Sequence, residues 1–111
     1  MPYAVRVRTS SEGGELYPLF ENREITIGRT STNNIFIRDE NISRVHCQIV
    51  VSNGEVILTD LQSTNGTFLN NERVMDCVLK VHDIIRVGAT LLELEEADEQ
   101  GQIDTDTKVM E

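Results

Sequence analysis

No stretch of the 111 residues approaches the ~18 consecutive apolar side chains of a membrane-spanning helix. The opening Met1-Pro2-Tyr3-Ala4-Val5-Arg6 lacks the apolar core of a secretory signal. An intracellular protein with no membrane partner is the expectation. Cysteine is scarce: Cys47 and Cys77 lie far apart, with no CxxC pair and no histidines at metal-ligand spacing. They are expected as free thiols acting as small hydrophobes, and no metal or cofactor is expected. Helical periodicity is missing throughout. So are a nucleophile–base pair and a glycine loop of the nucleotide-cradling kind, which argues against an enzyme.

Basic residues are also in deficit, 10 against 19 acids, for a net charge of −9. The imbalance is uneven. From Glu93 to Glu111 there are eight acids and one base, −7, whereas Met1 to Leu92 carries only −2. The body of the chain is therefore nearly neutral and lacks the basic stripe that direct nucleic-acid binding requires. Residues 96–111 are acidic and almost free of large apolar groups, so they cannot repay the entropy of ordering. They are expected to form a disordered acidic tail, or a linker to further domains, after one domain at 1–95.

What is present is alternation with period two in short runs. Val5 and Val7 alternate with Arg6 and Arg8. Leu16 to Phe20, Glu24 to Ile27, and Ile35 to Ile37 follow. Val45 to Val51 and Glu55 to Thr59 read as a hairpin about Ser52-Asn53-Gly54. Thr67 to Leu69, Ile84 to Val87 and Thr90 to Leu94 complete the set. Many short strands with frequent turn signals predict an all-β sandwich or barrel.

Three expected loops concentrate the polar chemistry. Gly28-Arg29 ends one strand, Ser43-Arg44-Val45-His46 opens another, and Ser63-Thr64-Asn65-Gly66 precedes Thr67-Phe68-Leu69-Asn70. Strand-end loops on a rigid sandwich commonly carry binding residues. If these loops converge, Arg29 and Arg44 offer guanidinium forks suited to a phosphate. Ser43 and Thr64 offer hydroxyls, and Asn65 has a donor and an acceptor for an extended peptide backbone. Asp39 and Glu40, just ahead of Ser43, would repel acidic residues beside the phosphate if they point inward.

These runs, with Asp60 between them and Asp83-Ile84-Ile85-Arg86-Val87-Gly88 near the end, closely resemble the forkhead-associated (FHA) domain over about Tyr3 to Leu94. The resemblance implies a β-sandwich of about eleven strands with binding loops at one end, reading phosphothreonine in extended peptides. By that resemblance Arg29, Ser43, Arg44 and Thr64 would bind the phosphate, and Asn65 the peptide main chain. Asn41 sits where a contact three residues beyond the phosphothreonine would arise. Gly28, His46 and Gly66 would shape and brace the loops. The implied function is a phosphorylation-dependent adaptor in signalling, its partner a phosphothreonine protein. Family habit places such readers in the nucleus, in checkpoint and DNA-damage-response settings. His82 departs from the glycine usual before Asp83, yet histidine tolerates positive φ better than most side chains.

Plainer readings accompany these. Asp60 is expected to cap the turn into Leu61-Gln62-Ser63. Arg38, Arg73 and Arg86 are expected on a solvated face. A second function class is a dimerisation or structural module, a homodimer joined through a sheet face. A hybrid is self-recognition of a phosphorylated terminal threonine, Thr9, Thr105 or Thr107.

Overall fold

Alternating burial drives the architecture. In β5 (Cys47–Ser52) and β6 (Glu55–Asp60) every second residue is buried, and Val56, Leu58, Cys47, Ile49 and Val51 face inward. The computed structural model describes residues 2–8 and 13–96. Its other strands are β1 (Tyr3–Arg8), β2 (Gly13–Leu19), β3 (Glu24–Gly28), β4 (Ile35–Phe36), β7 (Thr67–Leu69), β8 (Glu72–Val74), β9 (Asp76–Leu79), β10 (Ile84–Val87) and β11 (Thr90–Glu96). The acidic segment from residue 97, with Thr105 and Thr107, lies outside the described residues, as does Thr9.

The strands form two sheets, ordered β2-β1-β11-β10-β7-β8 and β4-β3-β5-β6-β9. All strand pairings are antiparallel except β3 with β4. The expected all-β sandwich is thus the observed fold. Between the sheets lies an aliphatic core in which Ile27, Ile49, Leu58, Ile85, Leu92 and Leu94 are fully buried. Each such side chain contributes roughly 1.5–3 kcal/mol by leaving water.

Turn chemistry sets the register. Asn53 and Gly54 both have positive φ (53° and 80°), joining Ser52 to its partner Glu55 by a two-residue loop. That backbone matches the twist of the strands it joins. Asn70 and Asn71 do the same between β7 and β8, with φ of 49° and 74°. His82 holds φ at 77° in an exposed turn.

Some expectations shift. The strand expected from Val45 begins at Cys47; Ser43 to His46 form the preceding loop, and Val45 is exposed. The cause lies in the hydrogen bonds of that stretch. His46 N–H donates to Ile27 O, and Arg44 O is taken by the Asn33 side chain, so Arg44 and Val45 do not pair with β6. Strands β8 and β9 were not anticipated. The final strand passes the expected domain boundary by one residue, to Glu96.

Candidate functional site

The pairings Cys47↔Asp60 and Thr67↔Val87 place the start of β5, the end of β6 and the start of β7 at one end of the sandwich. The loop after β3 meets them there, because Arg29 N–H donates to Ser43 O (3.0 Å). The resulting pocket is lined by Arg29, Glu40, Asn41, Ile42, Ser43, Arg44, Thr64 and Asn65. Every residue expected to touch phosphate or peptide lines this one surface.

Each lining group is held from beneath. Arg29 Nε donates to the carbonyl of Ile42 (2.9 Å), a residue 1% exposed, which aims the guanidinium and leaves both Nη groups without a protein partner among the described residues. Ser43 Oγ accepts from Thr64 N–H (3.0 Å), so its own hydroxyl proton is available to donate outward. Asn65 Nδ2 donates to Asn41 O (2.9 Å), joining the two loops and leaving the amide oxygen open. The Arg44 side chain has no ion pair or hydrogen bond among the described residues. Two cations that form no ion pair among the described residues, on one exposed surface, suit an anion.

His46 is the brace. It is fully buried, accepts from Ser43 N–H at Nδ1 (3.0 Å), and its Nε2 lies 2.9 Å from Gly66 O. Because Nδ1 accepts, the ring proton sits on Nε2 and donates to Gly66. One ring thereby ties the Ser43 loop to the Thr64–Asn65 loop. Asp60 holds the second loop from the other side. Its Oδ1 accepts from Ser63 Oγ (2.5 Å) and Thr67 Oγ1 (2.7 Å), its Oδ2 from Ser63 N–H (3.2 Å), and Ser63 Oγ accepts from Gly66 N–H. Burial works to raise the Asp60 pKa, but the Ser63 and Thr67 hydrogen bonds outweigh it and hold the carboxyl below its usual range. The expected turn cap is therefore present and extends to Thr67. Asp83 belongs elsewhere, bonded to Asn70 and to Lys80 N–H.

Both bracing glycines are required. At Gly28 a Cβ would lie 2.1 Å from Arg44 O and 2.6 Å from Asn33 Nδ2, so the need is close approach. Gly66 has φ of +93°, a conformation side chains rarely adopt, and the Arg73 guanidinium covers it.

Asp39 does not point into the pocket: it caps Asn41 N–H and accepts from Ala89 N–H. Glu40 does line it. Sequence reasoning missed Asn33, 8% exposed, whose Nδ2 lies within hydrogen-bond distance of Arg44 O (2.7 Å), Thr30 O and Thr30 Oγ1. The cluster Ser31-Thr32-Asn33-Asn34 signals a turn, and nothing in it distinguishes which asparagine turns inward. Cys47 and Cys77 are free, as expected. Burial pushes the Cys47 thiol up to about 12, removing it as a nucleophile.

The FHA domain family model matches residues 25–88, and the chain belongs to that family. It is 32% identical over 89 residues to the glycogen accumulation regulator GarA of Mycobacterium tuberculosis, covering 80% of this chain and 55% of GarA. It is 34% identical over 70 residues to the oxoglutarate dehydrogenase inhibitor of Corynebacterium efficiens, covering 63% of this chain and 49% of that protein. The chain spans about half the length of these relatives. Among solved structures, one from a structural and functional study of phosphothreonine-dependent FHA domain interactions superposes with a TM-score of 0.79 at 30% identity, covering 88% of this chain and 99% of that one.

Proposed function

We propose that this domain is a phosphothreonine-peptide-binding adaptor that joins proteins in response to phosphorylation. The observation that carries this reading is the aimed Arg29 guanidinium, its two Nη groups without a partner among the described residues, beside the free hydroxyl proton of Ser43. Arg29, Ser43, Arg44 and Thr64 take the phosphate, which brings about two negative charges and three strong acceptor oxygens. Asn65 grips the peptide main chain and Asn41 contacts a residue further along. Each charge-assisted hydrogen bond contributes roughly 1.5–3 kcal/mol, so three or four, less the cost of association, give about micromolar affinity. That suits a reversible contact.

The role is binding, not catalysis. It is exercised inside the cell, where kinases act. The nuclear and DNA-damage settings of some family members gain no support from GarA or the oxoglutarate dehydrogenase inhibitor, both bacterial. The domain is taken to be followed by an acidic linker, as its composition suggests.

Calorimetry against a degenerate phosphothreonine peptide library, with unphosphorylated and phosphoserine counterparts, tests the reading. Binding confined to phosphothreonine is expected. Arg29→Ala should weaken it about 100-fold, the loss of one bidentate charged contact. Equal affinity in that folded variant would sink the assignment.

A second reading, a homodimer through a sheet face, rests on the cross-strand row Val50, Ile57 and half-exposed Val78 on the outside of the five-stranded sheet. Sedimentation over a concentration series decides it, and a strictly monomeric profile removes it.

A further inference from the structure

The strand register of the larger sheet assembles something the charge balance of the sequence conceals. Arg8 pairs with Leu91, Leu91 with Arg86, Arg86 with Phe68, and Phe68 with Arg73. Directly paired residues share a face, so five strands contribute one row of alternating cations and apolar side chains. It lies on the outer face: Arg8, Leu91 and Arg73 are exposed, Arg86 and Phe68 half-buried. Arg86 stacks on the Phe68 ring, 4.2 Å from its centroid. Glu93 shares this outer face, 3.6 Å from Arg8 and diagonal to Arg86; Arg86 and Arg73 form no ion pair among the described residues. Arg86, stacked on Phe68, and Arg73, packed over Gly66, are therefore ordered by packing and without an ion pair among the described residues, not simply solvated.

The row is continuous with the pocket. Arg73 covers Gly66, the residue after Asn65, so one end of the row abuts the peptide-binding loop. We propose that this row is a second docking surface, which takes an acidic extended segment of the same phosphothreonine protein. The surface is independent of the phosphothreonine reading; only the identity of the partner rests on it.

The dimensions specify the ligand further. Strands lie about 4.8 Å apart, so neighbouring arginines in the row are about 9.6 Å apart and the whole row spans about 19 Å. A polyproline II segment repeats every three residues, about 9.3 Å. Acidic residues at i and i+3 would meet Arg73 and Arg86, and one at i+6 would share Arg8 with Glu93, with smaller or apolar residues between them over Leu91 and Phe68. A nucleic-acid strand offers cations a similar charge, but the row has one aromatic ring and that ring is already covered by Arg86.

The test is an amide chemical-shift titration of the intact, isotopically labelled chain with three probes. They are an unphosphorylated peptide bearing Glu at every third position, the same peptide with Gln, and a single-stranded oligonucleotide. The Glu peptide should shift Phe68, Arg86 and Leu91 while leaving Arg29 and Ser43 unmoved, and the Gln peptide should shift none of them. Arg8→Gln/Arg86→Gln, which leaves Arg73 over Gly66 in place, should abolish the shifts. Joined to either end of a library-selected phosphothreonine peptide, the Glu segment should tighten binding about five- to tenfold at low salt from one end only. The double variant should lose that gain and still bind the short phosphopeptide as before. No shift at the row, or equal tightening in the double variant, overturns the proposal. Tighter binding of the oligonucleotide at the row overturns it in favour of nucleic acid. Failure of the short phosphopeptide alone would refute the pocket reading and leave the row to stand or fall on the Glu peptide.

Discussion

Substituting His46 by asparagine and, separately, by glutamine takes apart the link between the two loops that wall the pocket one bond at a time. The asparagine Oδ1 falls near the position of the imidazole Nδ1, so His46→Asn keeps an acceptor for Ser43 N–H and strands Gly66 O. The glutamine Nε2 falls near the imidazole Nε2, so His46→Gln keeps the donor to Gly66 O and strands Ser43 N–H. An orphaned N–H, here the part-buried one of Ser43, is tolerated less well than an under-satisfied carbonyl, which has two lone pairs. The asparagine variant should therefore lose about 1–2 kcal/mol and the glutamine variant about 2–3. His46→Ala strands both groups and leaves a cavity in a fully buried site, for about 3–5 kcal/mol. Against a typical domain stability of about 5–15 kcal/mol, the single variants should remain folded.

Urea unfolding at constant slope measures these differences, and calorimetry with the phosphothreonine peptide measures their consequence. Both variants should bind more weakly than their stability loss alone suggests, since each frees one wall of the pocket. Asparagine loosens the Thr64–Asn65 wall, glutamine the Ser43 wall. If asparagine proves more destabilising than glutamine, the assignment of the ring proton to Nε2 is wrong. If all three variants stay within about 0.5 kcal/mol of the parent, His46 is no brace.

Asp60 makes the pH dependence of the fold predictable. Its folded pKa lies below the unfolded value of about 3.9, so its contribution is complete above that value and is lost as pH falls through the folded one. Stability should drop below about pH 4, and Asp60→Asn should flatten that drop; identical acid titrations by circular dichroism would refute the role. Gly28→Ala drives a Cβ into Arg44 O at 2.1 Å and must displace backbone, so a loss of about 1–3 kcal/mol and weakened phosphopeptide binding are expected. Unchanged unfolding and calorimetric curves would show that the loop yields freely. The Cys47 thiol, buried and with its pKa pushed up to about 12, should react with a thiol reagent only as fast as the protein opens. Prompt labelling of a Cys77→Ser variant would contradict the burial.

How much of this was legible depended on whether the signal was local. The β5–β6 hairpin could be read because Asn53-Gly54 carries its own positive φ values and both flanking strands alternate. The Asn70-Asn71 turn has the same conformation, yet β8 beyond it shows no alternation to recognise, because Glu72 and Arg73 are both exposed. β9 was hidden likewise: it is an edge strand whose Asp76 and Val78 face outward and whose Cys77 is only half-buried. Val45 was misassigned because an apolar residue ahead of Cys47 extends the alternation, while the bonds that bend the chain there reach back to Ile27 and Asn33.

The site divides along the same line. The groups proposed to take the phosphopeptide were legible because a phosphate pocket needs particular residue types, and Arg29, Ser43, Arg44, Thr64 and Asn65 are those types at strand ends. Their positioning was not. His46 reaches Gly66 twenty residues away, and Arg29 reaches Ile42 thirteen residues away, distances at which sequence carries no geometric signal. The arginine row is the extreme case. Arg8, Arg73 and Arg86 come from the first, eighth and tenth strands, and a shift of one residue in any pairing would turn its arginine to the core face. Net charge cannot reveal such a surface, because it sums over positions that the register separates. A nearly neutral body is compatible with an acidic-segment site wherever strand pairing gathers more cations than acids on one face: Glu95 is committed to Arg6, Glu93 is shared between His82 and Arg8 of the row, and Arg73 and Arg86 are left without an ion pair among the described residues.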